Sequence, residues 1–115
     1  MNALDEALRI SRSGDVAGAI ELLRASEPTQ AHLSLLFQLV SAPEEAIEIA
    51  SAALALAKLP MAKSTWALRR GLLHLEKGHR DQALKDLQQV LKLRASEEQQ
   101  TQARQALLRV AALKR

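Results

Sequence analysis

Three stretches of the chain repeat one short pattern, in which a turn residue precedes a small residue and a hydrophobic stripe. GDVAGAIELL from Gly14 and GHRDQALKDL from Gly78 place an Ala five residues after the Gly, and a Leu four residues beyond that Ala. SAPEEAIEIA is a weaker version, with Ala46 five residues after Ser41. A Gly can adopt the left-handed conformation that ends a helix, and an Ala in the next helix permits close approach. The pattern therefore predicts three helix–turn–helix pairs.

The helix before each turn supplies its own small residue, twelve positions before the paired Ala. The predicted contacts are Ala7 with Ala19, Ser34 with Ala46, and Gly71 with Ala83. Helix pairs that share one close-packing geometry cannot bury their apolar faces alone, so they must stack on one another. A chain of 115 residues has room for one such core.

The fold class predicted from these patterns is all-α, with about seven antiparallel helices in a single domain over 1–115. The apolar residues are mostly Leu, Ala, Ile and Val, which favour helices, and no segment has the pattern of a β-strand. We expect three helix pairs over about 2–25, 27–58 and 61–94, stacked as a short right-handed superhelix, and a capping helix over 97–113.

Polar residues at the helix starts refine these boundaries. Asp15 and Ser96 are predicted N-caps of the second and seventh helices. Ser26 is predicted to cap the third helix, and Ser41 with Glu44 is spaced as a capping box for the fourth. Pro60 prevents the fourth helix from continuing simply into the fifth.

The segment WALRRGLLHLEKGHRDQALKDLQQVLKL resembles a tetratricopeptide repeat. The resemblance rests on Trp66, Gly71, Gly78, Ala83, Leu87 and Leu91. It is strongest over 64–95, moderate over 1–25 and weak over 27–60. The chain departs from the family pattern where Ile10, Phe37 and His74 replace the common aromatic residue of the first helix, and where Ala95 replaces the usual Pro. The resemblance implies a non-catalytic scaffold that binds other proteins.

In such a stack the first helix of each pair lines a concave groove, and here those helices carry a stripe of leucines with a polar rim. The predicted partner-binding floor is Leu4, Leu8, Leu35, Leu39, Leu68, Leu72 and Leu75, and the predicted rim is Arg12, His32, Gln38 and Arg69. Family members that bind charged C-terminal tails use Lys, Asn and Arg in this groove. Only Arg69 matches a basic residue of that set, so we do not expect a carboxylate clamp.

An open stripe of seven leucines would be unfavourable, because burying one Leu is worth about 1.5–3 kcal/mol. We expect an amphipathic helix or apolar segment of another protein to fill the groove, in the manner of a scaffold or small chaperone. Self-association of the chain through the same surface, as a homo-oligomer, is the first alternative. Closure of the groove by the seventh helix is the second.

The charges are distributed unevenly along the chain. Residues 1–57 carry three basic and eight acidic residues, a net charge of −5, and residues 58–115 carry thirteen basic and five acidic residues, a net charge of +8. The basic half could contact phosphates, but Trp66 is the one aromatic residue there for base stacking, and acidic residues are interleaved. The pattern does not favour nucleic acid as a partner.

Neither an enzyme nor a metal or cofactor site is predicted. The chain has no Cys, and its three imidazoles, His32, His74 and His79, match no metal-binding motif. His74 and His79 flank a turn and do not share a helix face. Asp5 and Glu6 stand where a signal peptide needs basic residues, and the apolar runs are too short to span a membrane, so we expect a cytoplasmic protein.

Overall fold

The computed structural model describes residues 2–113, which form seven α-helices and no β-strand. The helices are α1 (Ala3–Arg12), α2 (Val16–Ala25), α3 (Gln30–Leu39), α4 (Pro43–Leu56), α5 (Pro60–Glu76), α6 (Arg80–Leu93) and α7 (Glu97–Ala111). The predicted all-α fold class is confirmed. No helix among the described residues combines the length and apolar character needed to cross a membrane.

Several predicted turns and caps form as the sequence indicates. Gly14 and Gly78 have φ angles of 100° and 75°, in the left-handed region that ends α1 and α5. The Asp15 side chain accepts a hydrogen bond from the backbone N–H of Gly18, and the Ser96 side chain accepts one from that of Gln99. These caps fix where α2 and α7 begin.

The predicted caps of α3 and α4 are wrong. Ser26 does not start α3, because its hydroxyl donates to the carbonyl of Leu22 and so closes α2. Thr29 is the N-cap of α3 instead. Ser41 is not the cap of α4, whose N-cap is Ala42 without a side-chain hydrogen bond.

Consecutive helices pack against each other along the chain, and α7 also contacts α5. The predicted small-residue contacts lie at these packing surfaces: Ala7, Ala19 and Ala83 are fully buried, whereas Ser34 is half-buried. A Cβ added at Gly71 would lie 3.1 Å from the Leu87 side chain. The α5–α6 pair therefore depends on the missing side chain at this position.

The core consists of two clusters of buried side chains. One contains residues of α1–α4 together with Trp66 of α5, and the other contains residues of α5, α6 and α7. The molecule measures 45 × 29 × 20 Å, and its radius of gyration of 15.2 Å exceeds the value of about 13 Å expected for a compact globule of this length. The helices thus form an elongated row in which α5 belongs to both clusters.

Candidate functional site

Three of the seven leucines predicted to form an open floor are buried in the core. Leu35, Leu68 and Leu75 are 8%, 6% and 5% exposed. Leu35 packs in the first core cluster, and the other two pack in the second cluster with Ala103, Ala106 and Val110 of α7. These three side chains are therefore covered within the chain to a greater extent than an open floor would require.

The other four leucines are half-buried and pack against the edges of the two clusters. They are Leu4, Leu8, Leu39 and Leu72. Leu8 and the exposed Arg12 line a cleft of about 310 Å³ on α1, together with Asp5 and Arg9. Of the predicted rim, Gln38 is also exposed, and His32 is half-buried.

A cleft between α5 and α7 brings three of the predicted residues together, and we call it the α5–α7 cleft. Its volume is about 320 Å³, and it is lined by Thr65, Leu68, Arg69, Leu72, Ser96, Glu98, Gln99 and Gln102. Leu72 and Gln102 also line an adjoining hollow of about 210 Å³, which reaches Arg109 on α7. Both hollows have apolar and polar walls.

Arg69 is the central cation of the α5–α7 cleft. Its guanidinium carbon lies 4.6 Å from the ring centroid of Trp66 and 5.3 Å from that of Phe37, within the range of cation–π attraction. The two rings meet edge to face, with centroids 5.5 Å apart. Partial burial lowers the pKa of Arg69 below its usual value, since desolvation disfavours the charged form. Within residues 2–113 its guanidinium makes no ion pair.

Hydrogen bonds hold the aromatic platform beneath Arg69 in place. The indole N–H of Trp66 donates to Gln30 Oε1 at 2.7 Å, and the Gln30 amide donates to the carbonyl of Ala53 at 2.9 Å. A buried Trp keeps its orientation when its N–H has a partner. The platform is therefore fixed by contacts from α3 and α4 before any ligand binds.

A second set of hydrogen bonds fixes α7 against α5 at the mouth of the cleft. The buried Ser64 hydroxyl donates to Gln99 Oε1 at 2.6 Å, and the Gln99 amide donates to Thr65 Oγ1 at 2.9 Å. Sequence reasoning missed Thr65, Gln99 and Gln102 as site residues. The signal available was the glutamine-rich start of α7, EEQQTQARQ.

A buried ion pair lies on another side of α5. Arg70 donates to both carboxylate oxygens of Asp86, at 2.8 and 2.7 Å, and also to the hydroxyl of Ser51 at 3.1 Å. The hydrogen bonds from Arg70 to Asp86 raise the pKa of Arg70 above its ordinary value. Through these contacts Arg70 joins α4, α5 and α6. Because Asp86 compensates its charge, Arg70 is not available to bind an acidic partner.

The two imidazoles at the α5–α6 turn meet, although the sequence spacing argued against it. The Nδ1 atoms of His74 and His79 lie 3.1 Å apart. Burial is the main reason that the pKa of His74 is lowered. Among the described residues no group of three or more His, Cys, Asp or Glu side chains is placed to hold a metal ion. The third imidazole, His32, is remote from this pair in the sequence and contacts Thr29.

The α5–α7 cleft is thus a preformed depression with a desolvated cation, an apolar wall at Leu72 and several amide groups. The chain matches no protein-family model, no curated protein and no solved structure.

Proposed function

We propose that this chain is a non-catalytic protein-binding module of the tetratricopeptide-repeat type, and that the α5–α7 cleft binds an amphipathic segment of another protein. The observation that carries the proposal is Arg69. Its half-buried charge is held over two aromatic rings, beside the half-buried Leu72, and forms no ion pair with any residue that the structure describes. Withdrawing a cation from water is costly unless a partner compensates it.

The chemistry of the cleft defines the segment that fits. Leu72 offers an apolar contact, Arg69 favours an acidic side chain, and the Gln102 amide can donate or accept hydrogen bonds. A helix with one apolar face and a carboxylate at its edge presents these groups together. This proposal specifies the binding segment more closely than the leucine stripe does, since the stripe predicts only an apolar or amphipathic segment.

The burial of Leu35, Leu68 and Leu75 favours this proposal over self-association through a leucine floor. Those three side chains are already covered within one chain, so they would add little apolar area to a contact with a second copy. A partner would instead use the polar and apolar groups of the α5–α7 cleft.

A displayed library of random peptides tests the proposal. Peptides selected against the wild-type chain should bind at least tenfold more weakly to Leu72→Glu and to Arg69→Glu, a loss of about 1.4 kcal/mol or more. The matched control is Gln88→Glu, which adds a negative charge at an exposed position of α6 outside the cleft. The proposal would be contradicted if Gln88→Glu weakened peptide binding as strongly as the two cleft changes do. It would also be contradicted if none of the three changes affected peptide binding.

A further inference from the structure

We propose that His74 and His79 form a two-nitrogen chelate for a first-row transition-metal cation, with Zn²⁺ as the representative ion. This site lies at the α5–α6 turn and is independent of the proposed protein-binding cleft. The proposal rests on the distance of 3.1 Å between the two Nδ1 atoms. Imidazole nitrogen is a common ligand for zinc, copper and nickel.

The distance between the nitrogens suits a single cation. Two nitrogens that each lie about 2.0–2.1 Å from a tetrahedral zinc ion are roughly 3.4 Å apart. The rings of His74 and His79 have their centroids 5.3 Å apart, at an interplanar angle of 46°. An opening of a few tenths of an ångström would therefore admit the ion between the nitrogens.

The backbone of the turn holds the two histidines in this arrangement. The N–H of His79 donates to the carbonyl of His74 at 2.8 Å, and the N–H of Gly78 donates to that of Leu75 at 3.1 Å. Gly78 has a φ angle of 75°, which a side chain would strain. Because the turn is already closed, binding a cation would order little additional backbone, which lowers the entropic cost of forming the chelate.

The two nitrogens can both coordinate if the rings are neutral. In a hydrogen bond at this distance one Nδ1–H donates to the lone pair of the other Nδ1, whichever ring is the donor. Coordination requires that the donor ring moves this proton to its Nε2 atom, so both Nδ1 lone pairs face the ion and no net proton is released. His79 is exposed, which gives the ion a path from solvent.

The surrounding charges nearly balance. Asp86 and Arg70, which pair with each other, act on His74, and Glu44, which pairs with Lys77, lies within electrostatic range of His79. Since the protein supplies two ligands among the described residues, water completes the coordination. Imidazole ligands should select Zn²⁺, Cu²⁺ or Ni²⁺ over Mg²⁺ and Ca²⁺, which prefer oxygen.

Isothermal titration of the untagged chain with ZnCl₂, up to about 1 mM, tests the proposal. We expect one Zn²⁺ per chain, with chemical-shift changes in the imidazole signals of His74 and His79. His74→Ala and His79→Ala should each lower the affinity at least tenfold. His32→Gln, which removes the one imidazole outside the pair, should keep the wild-type affinity, and MgCl₂ should give no saturable binding.

His79→Ala is the decisive variant, because this side chain is exposed and its removal opens no cavity. Thermal melting without metal confirms that each variant is folded. The proposal is overturned if Zn²⁺ shows no saturable 1:1 binding, or if His79→Ala keeps the wild-type affinity for Zn²⁺. It is also overturned if His32→Gln loses as much affinity for Zn²⁺ as the His74 and His79 variants do.

Discussion

The packing of α5 on α6 at Gly71 shows how single small residues set the distance between helices. Ala83 is fully buried, and the space beside Gly71 is taken by Leu87 and by the Cβ of Asp86. Any larger side chain at this contact would have to displace Leu87, which is itself fully buried. Close-packed interiors resist such a displacement.

Ala83→Leu should therefore destabilise the protein by about 1–3 kcal/mol, because the longer side chain overpacks the α5–α6 contact. The matched control is Ala52→Leu, which makes the same change at an exposed position of α4 and should leave the free energy of unfolding nearly unchanged. Urea unfolding measures both. If the two variants have equal stability, the small-residue pattern has been misinterpreted.

The small residues could be predicted from the sequence, but the exposure of the leucines could not. Small residues recur at a fixed spacing because two helices can approach closely only where their side chains are small. Ala7, Ala19 and Ala83 are fully buried at such positions. Whether Leu68 or Leu72 is covered depends on where α7 lies, and that placement is a long-range contact that helix periodicity does not encode. The aromatic platform under Arg69 was missed for the same reason, since Phe37 and Trp66 come from different helices.

At the scale of helices, two ion pairs that link neighbouring elements differ in how far they are buried. Arg70 and Asp86 join α5 to α6, with the Asp86 side chain 6% exposed. Glu44 and Lys77 join the start of α4 to the end of α5, with side chains 65% and 35% exposed. The two pairs have similar chemistry but different solvation, so they should differ in their importance for stability.

Asp86→Ala should destabilise the protein by about 2–4 kcal/mol, because it leaves the partly buried charge of Arg70 uncompensated. Glu44→Ala removes an equivalent carboxylate from the exposed pair and should change the melting temperature little. Replacing both Arg70 and Asp86 with apolar residues should cost less than Asp86→Ala alone. Equal effects of Asp86→Ala and Glu44→Ala would show that the α5–α6 ion pair is no more important than the exposed one.

The helix boundaries show where local signals suffice. Gly14, Gly78, Asp15 and Ser96 act through nearby backbone groups, so the sequence alone locates those helix ends. Ser26 was assigned to the wrong helix because a hydroxyl between two helices can form a hydrogen bond with either of them. Here it forms one with the preceding helix. Such a competition is decided by the angle at which α3 leaves α2, which no local motif specifies.

At the scale of the whole molecule, Trp66 joins the two halves of the core. It is an α5 residue, 2% exposed, that packs in the cluster of α1–α4. The rest of the buried α5 residues in the two clusters belong to the cluster shared with α6 and α7. Trp66 also carries the Phe37 contact and the Gln30 hydrogen bond, so three kinds of interaction meet at one side chain.

Trp66→Ala should cost about 3–5 kcal/mol, because it leaves a large cavity in the first cluster, where α5 packs on it. Fluorescence of the wild-type protein should be shifted to shorter wavelengths than that of free indole in water, as expected for a buried ring. Denaturant unfolding measures the stability difference. Emission at the wavelength of solvated indole, or a stability loss below about 1 kcal/mol, would contradict this placement of Trp66.

The proposed binding of another protein in the cleft between α5 and α7 can be measured directly on the whole molecule. Amide chemical shifts of the wild-type chain are followed during titration with a peptide selected from the displayed library. We expect the changes to concentrate on 65–72 of α5 and on 98–109 of α7, with the Arg69 side-chain signal among those that shift. Changes confined to α2 and α4, with the α5–α7 cleft unaffected, would contradict the proposal.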